Sequence, residues 1–316
     1  MGQCLIKMVA STISSLTMPR SIIYIINPIS GTKIKKNVQE LIEKKTRAEN
    51  ISFQVYPSVA SGDYSFLHGV IREQKITDIV IAGGDGTINQ VVSSLMDFNV
   101  NFGIIPCGSG NGLAYTAKIP KQPDKALDTI FNGKPEAIDG FYINGQFSCM
   151  LCGLGFDAKV AQDFARQPKR GLTTYIKQVV KNFFSAKIYS FEVSSNNHTF
   201  PTEAYFISIA NSNQFGNNFT IAPKASVSDG LLDIVIVTRQ SKLSMLLQTL
   251  KQIRGKNKLE TGIIKAKKKG VIYFQTDQLS IKNLSDAPLH IDGDPAATAR
   301  KLKIVINKKC FRLMVP

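Results

Sequence analysis

The residues with the most evident chemistry lie in IVIAGGDGTINQVV, positions 79–92. An apolar run delivers the chain to consecutive glycines, and a helical pattern begins just after them. Glycine lets a backbone approach an anion closely and adopt positive φ. The free N–H groups of Thr87, Ile88 and Asn89 at the helix start then favour phosphate. Asp85 sits inside this loop and repels phosphate by charge. Its residue type points to a Mg²⁺ ligand, a lysine partner or a helix cap. A capped strand–helix turn accounts for an arbitrary Gly-Gly-Asp-Gly about as well. The full Gly83-Gly84-Asp85-Gly86-Thr87 is more specific.

Other chemistries find little support. No G-x-x-x-x-G-K-[ST] occurs, which excludes a P-loop NTPase. GLGFDA (153–158) satisfies G-x-G-x-x-A but lies in a β-rich region, and no acidic residue follows about twenty positions on. The 3 His are not clustered. The 5 Cys are odd in number and scattered, as expected of reduced thiols, and Cys149-x-x-Cys152 has no second pair to complete a zinc site.

These residues need elements to hold them. SIIYIIN (21–27), ISFQVYP (51–57), DIVIA (78–82) and NFGIIP (101–106) read as buried strands. KKNVQELIEKKTRAE (35–49), the stretch around 66–74 and TINQVVSSLMD (87–97) read as helices between them. Such alternation predicts a parallel sheet with helices on both sides. From about Asp139 strand-like runs dominate, interrupted by helical segments near 174–184 and 244–254. That half reads as an antiparallel β-sandwich. The expected organisation is an irregular extension over 1–19, an α/β domain over 20–138 and a β-sandwich domain over 139–297. Segment 298–316 is a last strand or two that can return to the first domain.

With 316 residues, 43% hydrophobic and 20% charged, the chain has ordinary globular composition and room for two domains. No apolar run approaches the roughly 18 residues of a membrane span, and the first twenty residues carry too much Ser and Thr for a signal sequence. A cytoplasmic protein is expected. Lys and Arg number 39 against 23 acids, a net charge of +16. This surplus favours polyanions: nucleic acid, an anionic membrane surface or phosphorylated ligands. Eight of the basic residues fall within 251–269.

GGDGT is shared by phosphofructokinases, NAD kinases and diacylglycerol/sphingosine-type lipid kinases. The remaining motifs discriminate. NPISG (27–31), GSGNGLA (108–114), GLGFD (153–157), VSDGLLDIV (227–235) and HIDGDP (290–295) follow in order. Together with the glycine loop they resemble the diacylglycerol-kinase catalytic-domain family over about residues 20–297. The resemblance implies an α/β nucleotide lobe of the phosphofructokinase and NAD-kinase type, a β-sandwich lobe and an active site in the cleft between them. It implies transfer of the γ-phosphoryl group of ATP, with Mg²⁺, to a lipid hydroxyl, diacylglycerol-like or sphingoid. The lipid is met by an enzyme peripheral to the anionic inner membrane surface. A lipid-binding pseudokinase or a nucleic-acid-binding protein is the alternative of another class, although no nucleic-acid partner is expected, and oligomeric state, a homodimer included, stays open.

By motif, Asn27, Pro28, Ile29, Ser30 and Gly31 form the first nucleotide loop. Gly83, Gly84, Asp85, Gly86, Thr87, Ile88 and Asn89 form the phosphate loop, with Ser58 and Ser109 as further nucleotide contacts. Asp229, with backbone oxygens of Ser226 and Leu231, matches a structural Mg²⁺ site. Asp157 falls beside the lipid head group, and Asp294 takes the place of the family's catalytic glutamate, with Asp85 as the alternative base. An aspartate there is about 1.5 Å shorter, which leaves a closer backbone, a relaying water or participation by Asp292 to make up the reach. Gln90 stands where many members carry Glu, and GSGNGLA replaces the bacterial G-T-x-N-D pattern.

Overall fold

The computed structural model describes residues 19–28, 35–168, 172–196, 198–213, 222, 224–241 and 270–316. Residues 29–31 of the first loop, the expected helix at 244–254 and the basic run 251–269 lie outside the described residues, as does nearly all of the N-terminal extension.

The first half comprises β1 (Ser21–Ile26), α1 (Lys35–Ala48), β2 (Ser52–Pro57), α2 (Leu67–Glu73), β3 (Asp78–Gly83), α3 (Asp85–Leu95), β4 (Asn101–Pro106), α4 (Gly112–Thr116) and α5 (Pro123–Asn132). All four strands pair in parallel, in the spatial order β2-β1-β3-β4. β3 is buried at every position, which is why its sequence runs apolar without alternation. α3 buries Ile88, Val91, Val92 and Leu95 along one face, the helical period that holds it against the sheet. Progress along the sheet reverses between β1 and β3. In open α/β sheets ligands bind at the carboxyl ends of the strands beside such a reversal.

The second half contains β5 (Lys134–Ile143), β6 (Gln146–Ser148), β7 (Leu151–Gly155), α6 (Phe156–Ala165), α7 (Leu172–Phe184), β8 (Tyr189–Ser195) and β9 (His198–Ala210). It continues with β10 (Leu232–Thr238), β11 (Val271–Thr276), β12 (Gln278–Asn283), β13 (Leu289–Ile291), β14 (Asp294–Ala296) and β15 (Lys301–Val315). Pairing within this half is antiparallel. One apolar core fills the sandwich around Phe141, Phe191, Ile207, Ile234 and Ile281. A smaller one, with Leu151, Tyr205, Val235 and Tyr273, takes Phe183 of α7 against it.

β15 joins the halves. It runs antiparallel to β12 and β5, then parallel to β4 at Arg312 and Leu313. Its register against β5 breaks between Asn307 and Phe311, opposite Asp139. Asp139 fills the break: Oδ1 accepts Lys309 N at 2.6 Å and Oδ2 accepts Gly230 N at 2.7 Å.

Three helices are not evident in the sequence. α4 and α5 follow β4 in turn, and α6 follows β7 without a loop. α6 buries Ala158, Val160 and Ala161 beside Asp157, and such small and charged residues hide the helical period. GLGFDA therefore does cross from strand to helix. β7 nevertheless runs antiparallel to both neighbours, β9 and β13, so no parallel βαβ unit surrounds it.

Candidate active site

Three loops converge at the carboxyl ends of β1, β3 and β4. Asn27, just after β1, donates from Nδ2 to Thr87 Oγ1 at 2.7 Å in the first turn of α3. Ser58, just after β2, donates its amide to Ile26 O at 2.9 Å. Pro28 is exposed beside Asn27. Gly84 is extended and caps α3, so the amides of its first turn face the loop.

The glycines have a steric reason. A Cβ on Gly108 would stand 2.6 Å from Gly84 Cα, so the loops after β3 and β4 touch backbone to backbone. Asn111, left-handed at φ 56°, closes the second loop on itself. Its Oδ1 accepts Gly108 N at 2.8 Å and its Nδ2 donates to Gly108 O at 2.9 Å. Ser109 is left exposed at the tip. Asp85 turns toward this second loop, where the amides of Gly112, Leu113 and Asn111 face its carboxylate. Burial raises its pKa, those amides oppose the rise, and nearby Asp294 adds to it. In this arrangement the Asp85 carboxylate links the two loops.

Asp294 arrives from the other half. β13 and β14 form a hairpin in which Ile291 pairs with Asp294. The two residues between are Asp292 at φ 49° and Gly293 at φ 86°. Two consecutive positive φ values define the type I′ turn that Asp-Gly favours. The turn projects Asp294 over the start of α3: a Cβ on Gly86 would stand 2.9 Å from Asp294 Oδ2. The backbone has thus come close enough for the shorter side chain.

Asp292 does not enter the cleft. Its Oδ1 accepts Ser148 Oγ at 2.7 Å, Leu151 N at 2.9 Å and Met150 N at 3.2 Å, and Oδ2 accepts Cys149 N at 3.3 Å. Burial pushes its pKa up to about 6 against the pull of those bonds. Cys149 and Cys152 are free and buried, and burial raises both thiols well above the ordinary value.

Asp157 is 8% exposed on its side chain. Oδ1 accepts the amide of Ala158 at 2.8 Å and Oδ2 faces His290 Nε2 at 3.4 Å. Ser226, Asp229 and Leu231 share one loop before β10. Leu231 N donates to Asp229 Oδ1 at 3.1 Å, and the loop rests on Asp139 and the break in β15. Partial burial, then Asp139, raises the pKa of Asp229. Among the described residues no three His, Cys, Asp or Glu side chains group as a metal site. In sequence Asp139 marks only the boundary where strand-like runs begin to dominate, and His290 is one of three unclustered histidines. Both act through partners distant in sequence.

Comparison with known proteins places both halves of the chain. Residues 21–143 match the diacylglycerol kinase catalytic domain and residues 151–308 the YegS C-terminal NAD kinase β-sandwich-like domain. The chain is 26% identical over 278 residues to the diacylglycerol kinase of Bacillus subtilis strain 168, covering 85% of this chain and 88% of that protein. It is 27% identical over 307 residues to the "Probable lipid kinase YegS-like" of Yersinia pestis strain Pestoides F, covering 95% and 98%. A crystal structure of a diacylglycerol kinase from Bacillus anthracis str. Sterne superposes with a TM-score of 0.71 at 17% identity, covering 94% and 97%. The fold and site define a two-lobed kinase of the lipid-kinase class. The chain belongs to the diacylglycerol-kinase catalytic-domain family.

Proposed function

We propose that the chain transfers the γ-phosphoryl group of ATP to the hydroxyl of a diacylglycerol-like glycerolipid at an anionic membrane surface. The observation that carries this reading is the Asp294 carboxylate against Gly86, beside a phosphate cradle. Phosphoryl transfer requires charge neutralisation, in-line alignment and an acceptor for the hydroxyl proton. Backbone amides around Gly84, Gly86 and Thr87 supply donors to the phosphates. The lipid hydroxyl oxygen bonds to the γ-phosphorus as the bond to the β-phosphate oxygen breaks. Asp294, exposed at the hairpin tip, takes the hydroxyl proton, and ADP leaves.

The Ser226–Leu231 loop suits a hard cation. Its donors are oxygens, and two carboxylates, Asp229 and Asp139, are close enough to raise the pKa of Asp229. Asp229 with backbone oxygens of Ser226 and Leu231 would hold Mg²⁺, which supplies fixed positive charge. The surplus that gives the net +16 suits an anionic bilayer, and among the described residues no helix is long and apolar enough to cross one. That supports peripheral attachment at the inner membrane surface. Asp157 faces the protein, with both oxygens directed at Ala158 and His290. This supports a neutral glycerolipid head over a sphingoid ammonium.

The test is radiolabelled ATP with extracted membrane lipid and identification of the labelled product. Asp294→Asn is expected to slow transfer by about 10²–10⁴-fold while ATP still binds. Full activity in that enzyme removes the base assignment, and failure of the wild type to label any lipid favours a lipid-binding pseudokinase.

A further inference from the structure

We propose that His290 is a positioning residue that holds the Asp292–Gly293 turn so that Asp294 meets the phosphate loop; this rests on the reading of Asp294 as the base. The turn has two amino-acid anchors. Asp292 binds the backbone of 149–151 through its side chain. The second turn residue, Gly293, has no side chain to bind with, and Asp294 follows it directly. Its amide donates instead to His290 Nδ1 at 3.3 Å.

That bond sets which ring nitrogen accepts. Nδ1 accepts, so the neutral ring carries its proton on Nε2. Nε2 faces Asp157 Oδ2 at 3.4 Å, with His290 1% exposed. Asp157 stands in the first turn of α6, which packs against β13 and β14. A connected series therefore runs from α6 through Asp157 and His290 to the Gly293 amide and on to Asp294.

The sheet makes room for this pair. His290 lies opposite Gly153 on β7. A Cβ on Gly153 would overlap the Asp157 carboxylate and stand 2.7 Å from His290 Nε2. Only glycine leaves that space. A short carboxylate also needs tighter placement than a long one, because a glutamate can absorb a wandering turn by changing rotamer and an aspartate has less reach.

Asparagine and glutamine separate the two contacts. In His290→Asn the Oδ1 replaces Nδ1 as acceptor for Gly293; in His290→Gln the Nε2 replaces the ring Nε2 toward Asp157. With saturating lipid, His290→Ala is expected to lower kcat about 10- to 100-fold with KM for ATP unchanged. His290→Asn should recover most of that loss and His290→Gln little of it. Hydrogen exchange at the Gly293 amide reads the same bond without activity: fast in the Ala and Gln enzymes, slow in wild type and Asn. Wild-type kcat in His290→Ala, equal losses in Asn and Gln, or slow Gly293 exchange in all four proteins each overturns the proposal. A wild type that phosphorylates no lipid instead counts against the base reading, and the exchange measurement then decides the role of His290 in the turn.

Discussion

The phosphate loop and the Asp292–Gly293 hairpin meet at Gly86, yet they are built by opposite means. The loop is local: strand, glycines and helix follow one another within 79–92, and the groups it presents are backbone amides. It is tightened by Asn27 from just after β1 and, through Asp85, by the amides of Gly112, Leu113 and Asn111 after β4. The hairpin has only three residues on each strand and takes its rigidity from far away. Asp292 reaches back to Ser148 and Leu151, and His290 to Asp157. A site can thus place donors by chain geometry alone. A single side chain must be placed by a series of long-range contacts.

The largest break in that contrast is expected at Asp292. Asp292→Ala leaves the amides of Cys149, Met150 and Leu151 and the Ser148 hydroxyl without their acceptor, at a cost of about 3–5 kcal/mol. Asp292→Asn keeps the size and one acceptor oxygen, and changes the pH dependence instead. The folded-state pKa is raised from 3.8 to about 6. Below the lower value the group is protonated in both states. Between the two, the unfolded chain releases its proton first, so stability falls as pH rises, by about 3 kcal/mol in total. Urea unfolding of wild type between pH 4 and 7 should show this decline, and Asp292→Asn should show a shallower one, with buried Asp85 contributing to what remains. An identical slope in both proteins would move the titrating group elsewhere.

Gly86→Ala tests the meeting point itself. In the first turn of α3 alanine is the better helix former by about 1 kcal/mol, so Tm should hold or rise. The new Cβ at 2.9 Å displaces Asp294 Oδ2, and kcat should fall about 100-fold. A more stable, slower enzyme is the expected outcome. Unchanged kcat would show that Asp294 works from another position.

The same contrast explains what could be read from sequence. The apolar run of β3, the glycines and the face of Ile88, Val91 and Val92 declare the loop within fourteen consecutive residues. Parallel strands with unbroken Val and Ile, and half-buried ones such as the alternating β12, show their class the same way. Asp294 was legible only through its motif, because nothing local says what lies opposite it. Asp-Gly does signal a two-residue hairpin, yet PLHIDGD reads equally as one strand. Asp139 and His290 have no local signature at all. Their partners, Lys309 and Gly230 for one and Asp157 for the other, become neighbours only once β15 and β13 have found their places.

The smallest expected effect belongs to Asp294→Glu. The added methylene extends the carboxylate by about 1.5 Å, into a space where Oδ2 already reaches Gly86. Were the hairpin as fixed as the phosphate loop, the longer acid would overshoot the cradle. The residue is exposed, however, and its hairpin ends in a glycine at φ 86°. Glutamate has a further rotatable bond with which to fold back. A change in kcat of no more than about 3-fold is expected, with KM for ATP unaffected. A loss approaching that of Asp294→Asn would show the hairpin to be as unyielding as the loop it faces. Combining Asp294→Glu with His290→Ala then sharpens the point: the longer acid should tolerate the loosened turn better than aspartate does, so the His290→Ala penalty should shrink.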